Sequence, residues 1–173
     1  MSTQAQNNPF PYSDSNKRYH TFDYFAKHKF SAKCAKLPVD GGFTCPNRDG
    51  SVGIGGCIYC SARGSGDFCA DKTLPIGDQL ERELDVMRKK WKDPLGIAYF
   101  QAFTNTYAPV DVLREKFEAA IACPGIVGLS VATRADCLPP EVCEYLADLA
   151  ERTFLTVELG LQTIYDDTAR LIN

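Results

Sequence analysis

Three cysteines stand close together in the glycine-rich stretch from Gly41 to Gly66. Eleven residues separate Cys45 from Cys57, and two residues separate Cys57 from Cys60. Thiolates at these spacings, in a segment that can fold back on itself, are typical ligands of a metal ion or an iron–sulfur cluster. The sequence therefore predicts a metal centre in this stretch.

The thiols of this stretch have three chemical interpretations. A thioredoxin-like redox pair would follow a strand directly and would not need Cys45. A zinc site would want a fourth ligand, which Cys69 or Cys34 could supply. An iron–sulfur cluster held by only three thiolates would leave one iron open to an external ligand. The spacing by itself favours neither zinc nor iron.

Length and composition favour one globular domain in a reducing compartment. The chain has 173 residues, of which 45% are hydrophobic and 24% charged, so it can bury a core. No apolar run approaches the roughly 18 residues of a membrane helix. The amino terminus lacks the apolar segment of a signal peptide. We therefore expect a cytoplasmic protein with reduced cysteines and no membrane partner.

The amino-terminal part of the chain is basic and rich in aromatic residues. Residues 1–45 carry a net charge of +3, although the whole chain carries −3. Such a segment could contact a polyanion such as RNA, but a helix with an aromatic core face and a solvated lysine face explains it at least as well. Residues 1–17 are polar and without periodicity, so we expect a flexible tail there.

The hydrophobic pattern predicts alternating strands and helices after the cysteine stretch. Leu37-Pro38-Val39 is interpreted as a short extended piece, and Leu80, Leu84, Met87 and Trp91 mark an amphipathic helix. The predicted strands are 96–103, 126–132 and 153–161; the predicted helices are 19–35, 110–123, 141–152 and 165–172. Spacings of a βαβ unit predict parallel neighbouring strands, as in half of an α/β barrel or an open α/β sheet. Because the chain stops inside the last predicted helix, we expect a truncated sequence.

The cysteine stretch resembles the cluster loop of the radical S-adenosylmethionine (SAM) superfamily, which ends in C-x-aromatic-C. Here that motif is Cys57-Ile58-Tyr59-Cys60. The longer segment GGFTCPNRDGSVGIGGCIYCSARGSGDF is similar to the uncharacterised YhcC/YtqA-type radical SAM proteins, which are grouped with the catalytic subunit of Elongator. The similarity continues through RYHTFDYFAKHKFSAKCAKLPVD, YFQAFTNTYAPVDVL, TRADCLP and VELGLQT.

This resemblance implies a fold and an activity. The fold would be α/β: a partial TIM-type (β/α) radical SAM barrel of parallel strands, truncated after about three β/α units and preceded by an N-terminal helix and the cluster-binding loop. Residues 18–173 would form this core domain. The cofactors would be a 4Fe–4S cluster on Cys45, Cys57 and Cys60, and SAM, cleaved reductively to a 5′-deoxyadenosyl radical.

The resemblance also implies partners. An electron donor such as flavodoxin or ferredoxin would reduce the cluster, and kinship with Elongator makes tRNA, at the wobble uridine, a candidate substrate. A small metabolite is an alternative substrate. The non-enzymatic alternative is a zinc-binding nucleic-acid module that uses Cys45, Cys57, Cys60 and Cys69.

Function in parallel α/β barrels lies at the carboxyl ends of the strands. The polar residues at the predicted strand ends are Gln101, Thr104, Asn105, Thr106, Thr133, Arg134, Asp136, Glu158 and Gln162. By resemblance, Tyr59 would pack near the adenine of SAM, and Glu158 would meet its ribose or methionyl end. Arg134 could pair with the SAM carboxylate or a substrate anion. Gln101 and Asn105 fall where the superfamily has a Gly-Gly-Glu-like motif, and Gln162 is a further candidate SAM contact. No catalytic residue is predicted.

Overall fold

The structure, a computed structural model, describes Asp14 and residues 17–172 as an α/β fold. Within these residues a four-stranded sheet is accompanied by five α-helices and one short 3₁₀ helix, Ala135–Cys137. In chain order the main elements are α1 (Phe22–Phe30), β1 (Cys34–Val39), α2 (Ile76–Arg88), β2 (Leu95–Phe100), α3 (Val110–Ile121), β3 (Ile126–Thr133), α4 (Pro140–Arg152), β4 (Phe154–Leu159) and α5 (Asp166–Ile172).

The four strands are parallel and neighbour one another in chain order, β1-β2-β3-β4. The register aligns Leu37 with Ala98, Ala98 with Leu129, and Leu129 with Leu155, so these four residues share one face. Each connection between paired strands passes through a helix, as parallel pairing requires. All four strands therefore end at the same edge of the sheet.

The helices α2, α3 and α4 cover the face that carries these aliphatic residues. Side chains of that core include Leu37, Phe100, Phe117 and Leu129, each at most 1% exposed. The Phe100 and Phe117 rings meet edge to face, with centroids 4.8 Å apart. Burial of this face stabilises the layer of helices on the sheet.

The opposite face is apolar at the amino ends of the strands and polar towards their carboxyl ends. α1 covers the apolar part, where Ala26 packs with Cys34 and Ile97, and the Phe30 ring contacts Phe154. Further along the strands, this face carries Lys36, Tyr99, Ser130 and Glu158, one from each strand. We call it the polar face.

The alternation of strands and helices predicted from residue 80 onwards is confirmed, with ends that differ by a few residues. Near the amino terminus one prediction is wrong and another is too short. The helix expected over 19–35 covers only Phe22–Phe30, because Ser31 adopts a left-handed backbone (φ 56°) and ends it. The extended piece around Pro38 is a complete strand, β1, whose edge position tolerates proline.

The expected flexible tail, residues 1–17, lies outside the described residues except for Asp14 and Lys17. In the part of the chain that the structure describes, no helix combines the length and the apolar character needed to cross a membrane.

Candidate metal and cofactor site

A cavity of about 710 Å³ opens at the carboxyl edge of the sheet, beneath the loop that follows β1. Cys45, Cys57, Cys60 and Tyr59 line it from the loop. Seven of the nine polar residues predicted at strand ends line it from the sheet side: Gln101, Thr104, Thr133, Arg134, Asp136, Glu158 and Gln162. The volume falls in the range of roughly 300–1,000 Å³ that small-molecule sites occupy. Of the nine residues predicted to bind the cluster or SAM, all but Asn105 therefore share one cavity.

Tight turns bring the cysteine loop back on itself. After Cys45 the backbone N–H groups of Arg48 and Asp49 donate to the Cys45 carbonyl, at 2.8 and 3.2 Å. The N–H of Cys60 donates to the Cys57 carbonyl at 3.0 Å, which closes the second turn. The N–H of Gly56 donates to the Asn47 carbonyl at 2.8 Å and joins the two turns. Eleven intervening residues thus do not hold Cys45 away from the other two thiols.

Arg48 and Phe103 attach this loop to the end of β2. The Arg48 guanidinium donates to the carbonyl of Ser61 at 2.5 Å and lies 5.4 Å from the centre of the Phe103 ring. The backbone N–H of Phe103 donates to the Gly64 carbonyl at 2.8 Å. Gly64 has a positive φ of 58°, and a Cβ there would overlap the Phe103 ring. Only glycine satisfies both conditions without strain.

The thiol of Cys57 has polar neighbours. The Asn47 side chain, which is 3% exposed, donates from Nδ2 to the Cys57 sulfur at 3.2 Å. The side chain of Tyr59 also forms a hydrogen bond with Cys57, and burial together with the nearby thiols raises the pKa of Tyr59 to about 12. The Cys60 sulfur lies 3.7 Å from the Ser65 hydroxyl oxygen. Such second-layer donors orient and tune metal ligands.

The three thiols line one cavity without converging on one point. Among the described residues, no three Cys, His, Asp or Glu side chains are gathered into a group that would hold a single ion. A zinc ion would require its sulfur ligands about 2.3 Å from one centre. A 4Fe–4S cluster binds each thiolate through a separate iron. Both kinds of centre stay predictions for this cavity.

Neither predicted fourth zinc ligand lines the cavity. Cys69 is 7% exposed, and burial, with a smaller effect of Asp40, raises its pKa to about 11. Cys34 is 8% exposed in the core under α1, and burial raises its pKa to about 11 as well. Both thiols are buried, and burial favours the neutral thiol over the thiolate that a metal needs.

Arg134 and Asp136 form a bidentate ion pair on the cavity wall after β3. Arg134 donates from Nε at 2.9 Å and from Nη2 at 2.7 Å to the two carboxylate oxygens of Asp136. This pairing raises the pKa of Arg134, against the effect of burial, and lowers the pKa of Asp136 below its ordinary 3.8. The guanidinium is thus held in a fixed orientation beside Cys45, whose charge also acts on it.

Glu158 lies at the end of β4 on the polar face, with partners on other strands. Lys36 Nζ donates to Glu158 Oε1, and Ser130 Oγ donates to the same oxygen at 2.5 Å. Burial acts to raise the pKa of Glu158, but these donors outweigh it and the net pKa is lowered. The carboxylate is therefore ionised at neutral pH.

Asn105 is the predicted site residue that does not line the cavity. Its side chain is fully buried and donates from Nδ2 to the carbonyls of Phe100, at 2.9 Å, and Ala132, at 2.8 Å. These bonds tie the loop after β2 to the ends of β2 and β3. Its carbonyl oxygen Oδ1 is buried without a hydrogen-bond partner among the described residues. Asn105 therefore supports the wall of the cavity from within the protein and does not face the cavity itself.

Four residues near the site were not singled out as site residues in the sequence: Lys36, Asn47, Tyr99 and Ser130. Three of them occupy alternate positions of strands whose other positions are aliphatic, which is a period-two signal. Asn47 appears in the sequence only as part of a turn. Its contact with Cys57 depends on how the loop folds.

Comparison with known proteins gives three close matches. The chain is 58% identical to Uncharacterized protein YtqA of Bacillus subtilis over 168 residues, which are 97% of this chain and 52% of YtqA. It is 39% identical to Protein YhcC of Escherichia coli K12, over 84% of this chain and 46% of YhcC. An uncharacterised protein of Methanocaldococcus jannaschii is 33% identical over 88% of this chain and 47% of its own length.

These proteins are homologues of this chain. The chain spans about half the length of the curated relatives it matches. No family model matches the chain. No solved structure matches it either. The expected likeness to the YhcC and YtqA proteins is confirmed, whereas membership of the radical SAM superfamily stays a prediction because none of the relatives' names states an activity.

Proposed function

We propose that this protein is a radical SAM enzyme that binds a 4Fe–4S cluster and SAM and cleaves SAM reductively. One observation supports this most directly: Cys45, Cys57 and Cys60 line a single cavity at the carboxyl edge of a parallel sheet, together with polar residues from the strand ends. This is the edge at which parallel α/β folds carry their chemistry. The expected partial TIM-type barrel belongs to the same proposal.

The three cysteines would hold the cluster, and its fourth iron would bind SAM. When bound, such a cluster supplies the electron that splits the sulfonium C–S bond of SAM into methionine and a 5′-deoxyadenosyl radical. In this proposal the chain's own residues bind and orient. Tyr59 offers an aromatic face beside the thiols.

The charged residues of the cavity have complementary tasks. Arg134 presents a guanidinium that is already oriented by Asp136, which suits recognition of a carboxylate or another anion. Glu158 presents an ionised carboxylate, which suits a ribose hydroxyl or an ammonium group. Gln101 and Gln162 add neutral amide donors and acceptors on the same wall. Opposite charges at separate places would fix the direction in which a zwitterionic ligand binds.

For the substrate, we propose tRNA on the basis of the resemblance to Elongator's catalytic subunit, with a small metabolite as the alternative. The basic amino-terminal segment adds little to the RNA proposal. Lys27 forms ion pairs with Asp14 at 2.9 Å and Asp23 at 2.7 Å, and Lys33 pairs with Asp23 at 2.7 Å. Part of the positive charge is therefore compensated within the protein. A flavodoxin or ferredoxin as electron donor, and a cytoplasmic location, stay predictions.

Anaerobic reconstitution tests the cluster. We expect a brown protein with about four irons per chain. Cys45→Ala, Cys57→Ala and Cys60→Ala should each lose iron. Cys69→Ala and Cys143→Ala are matched controls that should retain it. The reduced protein with SAM should release 5′-deoxyadenosine, measured by mass spectrometry.

The zinc-binding alternative predicts the opposite pattern. It requires a colourless protein with about one zinc per chain, whose binding is lost in Cys69→Ala. That outcome would overturn the cluster proposal. The placement of Cys69 outside the cavity argues against it. For the tRNA proposal, unchanged modified nucleosides in cells that lack the protein would remove its support.

A further inference from the structure

A network on the polar face joins all four strands of the sheet around Glu158. Lys36 of β1 and Ser130 of β3 both donate to Oε1 of this carboxylate. Tyr99 of β2 forms a further side-chain hydrogen bond with it. The Lys36 ammonium also lies 4.6 Å from the centre of the Tyr99 ring. Each strand thus contributes one member, although the residues are up to 122 positions apart in the chain.

Contact between Lys36 and Glu158 requires a curved sheet. β1 and β4 are the two edge strands, with β2 and β3 between them. The register sets Lys36 level with Phe154, four residues before Glu158. In a flat sheet with strands about 4.8 Å apart and about 3.3 Å per residue, the Cα atoms of Lys36 and Glu158 would therefore be roughly 20 Å apart, beyond the reach of the two side chains. The ion pair therefore indicates that the sheet curves towards the polar face. Its position is set by the whole sheet rather than by one loop.

Members of this network differ in their access to the cavity. Glu158 and Tyr99 line it, whereas Lys36 and Ser130 do not. Lys36 and Ser130 both act on Oε1, and Tyr99 adds a third contact to the same carboxylate. Glu158 therefore stands between a supporting pair on the polar face and the space that a ligand would fill. Glu158 could therefore contact a ligand directly, whereas Lys36 and Ser130 could act on that ligand only through Glu158.

We propose that Lys36 and Ser130 are positioning residues that orient the Glu158 carboxylate for an adenosyl ligand in the cavity. The proposal rests on the proposed function for the identity of that ligand. Lys36 compensates the charge of Glu158 and holds Oε1, so that the orientation of the carboxylate at the cavity wall is fixed before it accepts a hydrogen bond from a hydroxyl or ammonium group. Ser130 acts on the same oxygen as a neutral donor.

Because Glu158 is surrounded by charged groups, the positioning role of Lys36 should make ligand binding depend on pH. The groups that contact it are Lys36, Tyr99 and Ser130, and Arg134 with Asp136 shares the cavity. Burial acts to raise the pKa of Glu158, and the bond from Lys36 is the first of the effects that lower it. Lys36→Met keeps most of the aliphatic length and removes the charge and the donor. The pKa of Glu158 should then rise, and its carboxylate should be protonated as the pH falls.

The test uses the 173-residue chain, reconstituted anaerobically, and S-adenosylhomocysteine, an analogue that cannot be cleaved. Its dissociation constant is measured by calorimetry from about pH 5.5 to about pH 8.5, so that the acid end approaches the raised pKa of a partly buried carboxyl. We expect Lys36→Met to weaken binding of the analogue about 10-fold near pH 5.5, which is the effect of losing a hydrogen bond to a charged group. Near pH 8.5 the loss of affinity should be much smaller. Lys36→Arg should restore the wild-type profile, and Ser130→Ala should show a smaller, pH-independent loss.

The controls separate this proposal from the proposed function. Lys92→Met changes an exposed lysine in the same way and should leave the profile unaltered. Circular dichroism checks that each variant is folded. If the wild type binds the analogue and Lys36→Met has the same dissociation constant at every pH, the positioning role is refuted while the proposed function stands. If the iron-loaded wild type binds no analogue at all, the proposed function and the ligand named here fall together.

Discussion

Asn47 donates a side-chain hydrogen bond to the sulfur of Cys57 over 3.2 Å. Both residues belong to the loop after β1, ten positions apart, and the turn at Cys45 brings them together. Donors to a ligating sulfur stabilise negative charge on it, and so they tune the affinity and the reduction potential of an iron–sulfur centre. The second layer of the proposed cluster site is therefore part of the same loop that supplies the thiols.

We predict that Asn47→Ala weakens cluster retention about 10-fold and lowers the reduction potential, because the sulfur loses its amide donor. Iron release to a chelator and spectroelectrochemical titration measure the two effects. Ser65→Ala is the matched control, since the Ser65 hydroxyl lies 3.7 Å from the Cys60 sulfur and should contribute less. Equal behaviour of Asn47→Ala and the wild type would show that the amide has no such role.

We predict that Gly64→Ala destabilises the protein more than Gly42→Ala does. Both glycines have positive φ, 58° at Gly64 and 72° at Gly42, so alanine costs about 1–2 kcal/mol of backbone strain at either. At Gly64 the new Cβ also overlaps the Phe103 ring, which adds roughly 1–3 kcal/mol, whereas nothing lies within 4 Å at Gly42. Urea unfolding measures the difference. Equal losses in the two variants would mean that the loop does not pack on Phe103 as described.

We predict that Phe117→Ala lowers the free energy of unfolding by about 3–5 kcal/mol, because it leaves a cavity in the core. The Phe117 side chain is fully buried, between the Phe100 ring at 4.8 Å and the stacked Tyr145 ring at 6.3 Å. Phe68→Ala removes the same atoms from a residue that is 83% exposed, and should change stability by less than about 0.5 kcal/mol. Thermal and urea unfolding measure both. Similar losses would contradict the assignment of the core.

We predict a pH-dependent contribution from the Arg134–Asp136 pair in the metal-free protein. The pKa of Asp136 in the folded state is below its ordinary 3.8, so the stabilisation is complete above that value and is lost as the pH falls through the folded pKa. The gap in unfolding free energy between wild type and Asp136→Asn should be at most about 1 kcal/mol at neutral pH, since the carboxylate is half exposed. It should shrink below about pH 4.

The control for this pair is Asp167→Asn. Asp167 contacts Arg170 at 2.8 Å, but both side chains are largely exposed, at 95% and 74%. Water screens such a pair, and so this substitution should leave stability unchanged at every pH. A gap at Asp136 that is independent of pH would show that the ion pair is not its cause.

Helices and strands after residue 80 could be predicted because their signals are local. Leu80 and Leu84 repeat at helical spacing on the buried side of α2, and the apolar runs of β2, β3 and β4 are bounded by turn residues. β1 was missed as a strand because Pro38 interrupts its pattern. It pairs only with β2, some 60 residues later in the chain, and no local signal reports such a partner.

The sequence by itself determined the order of strands and helices after residue 80 and singled out three candidate thiol ligands, because hydrophobic period and cysteine spacing are properties of neighbouring residues. It also predicted which strand ends carry polar residues. Only the tertiary structure decided that Cys69 and Cys34 are buried outside the cavity, that Asn105 donates to two backbone carbonyls, and that Lys36 contacts Glu158. These relations join segments far apart in the chain, and they depend on the loop folding back and on the curvature of the whole sheet. The three thiols that the spacing singled out lie in one cavity for the same reason.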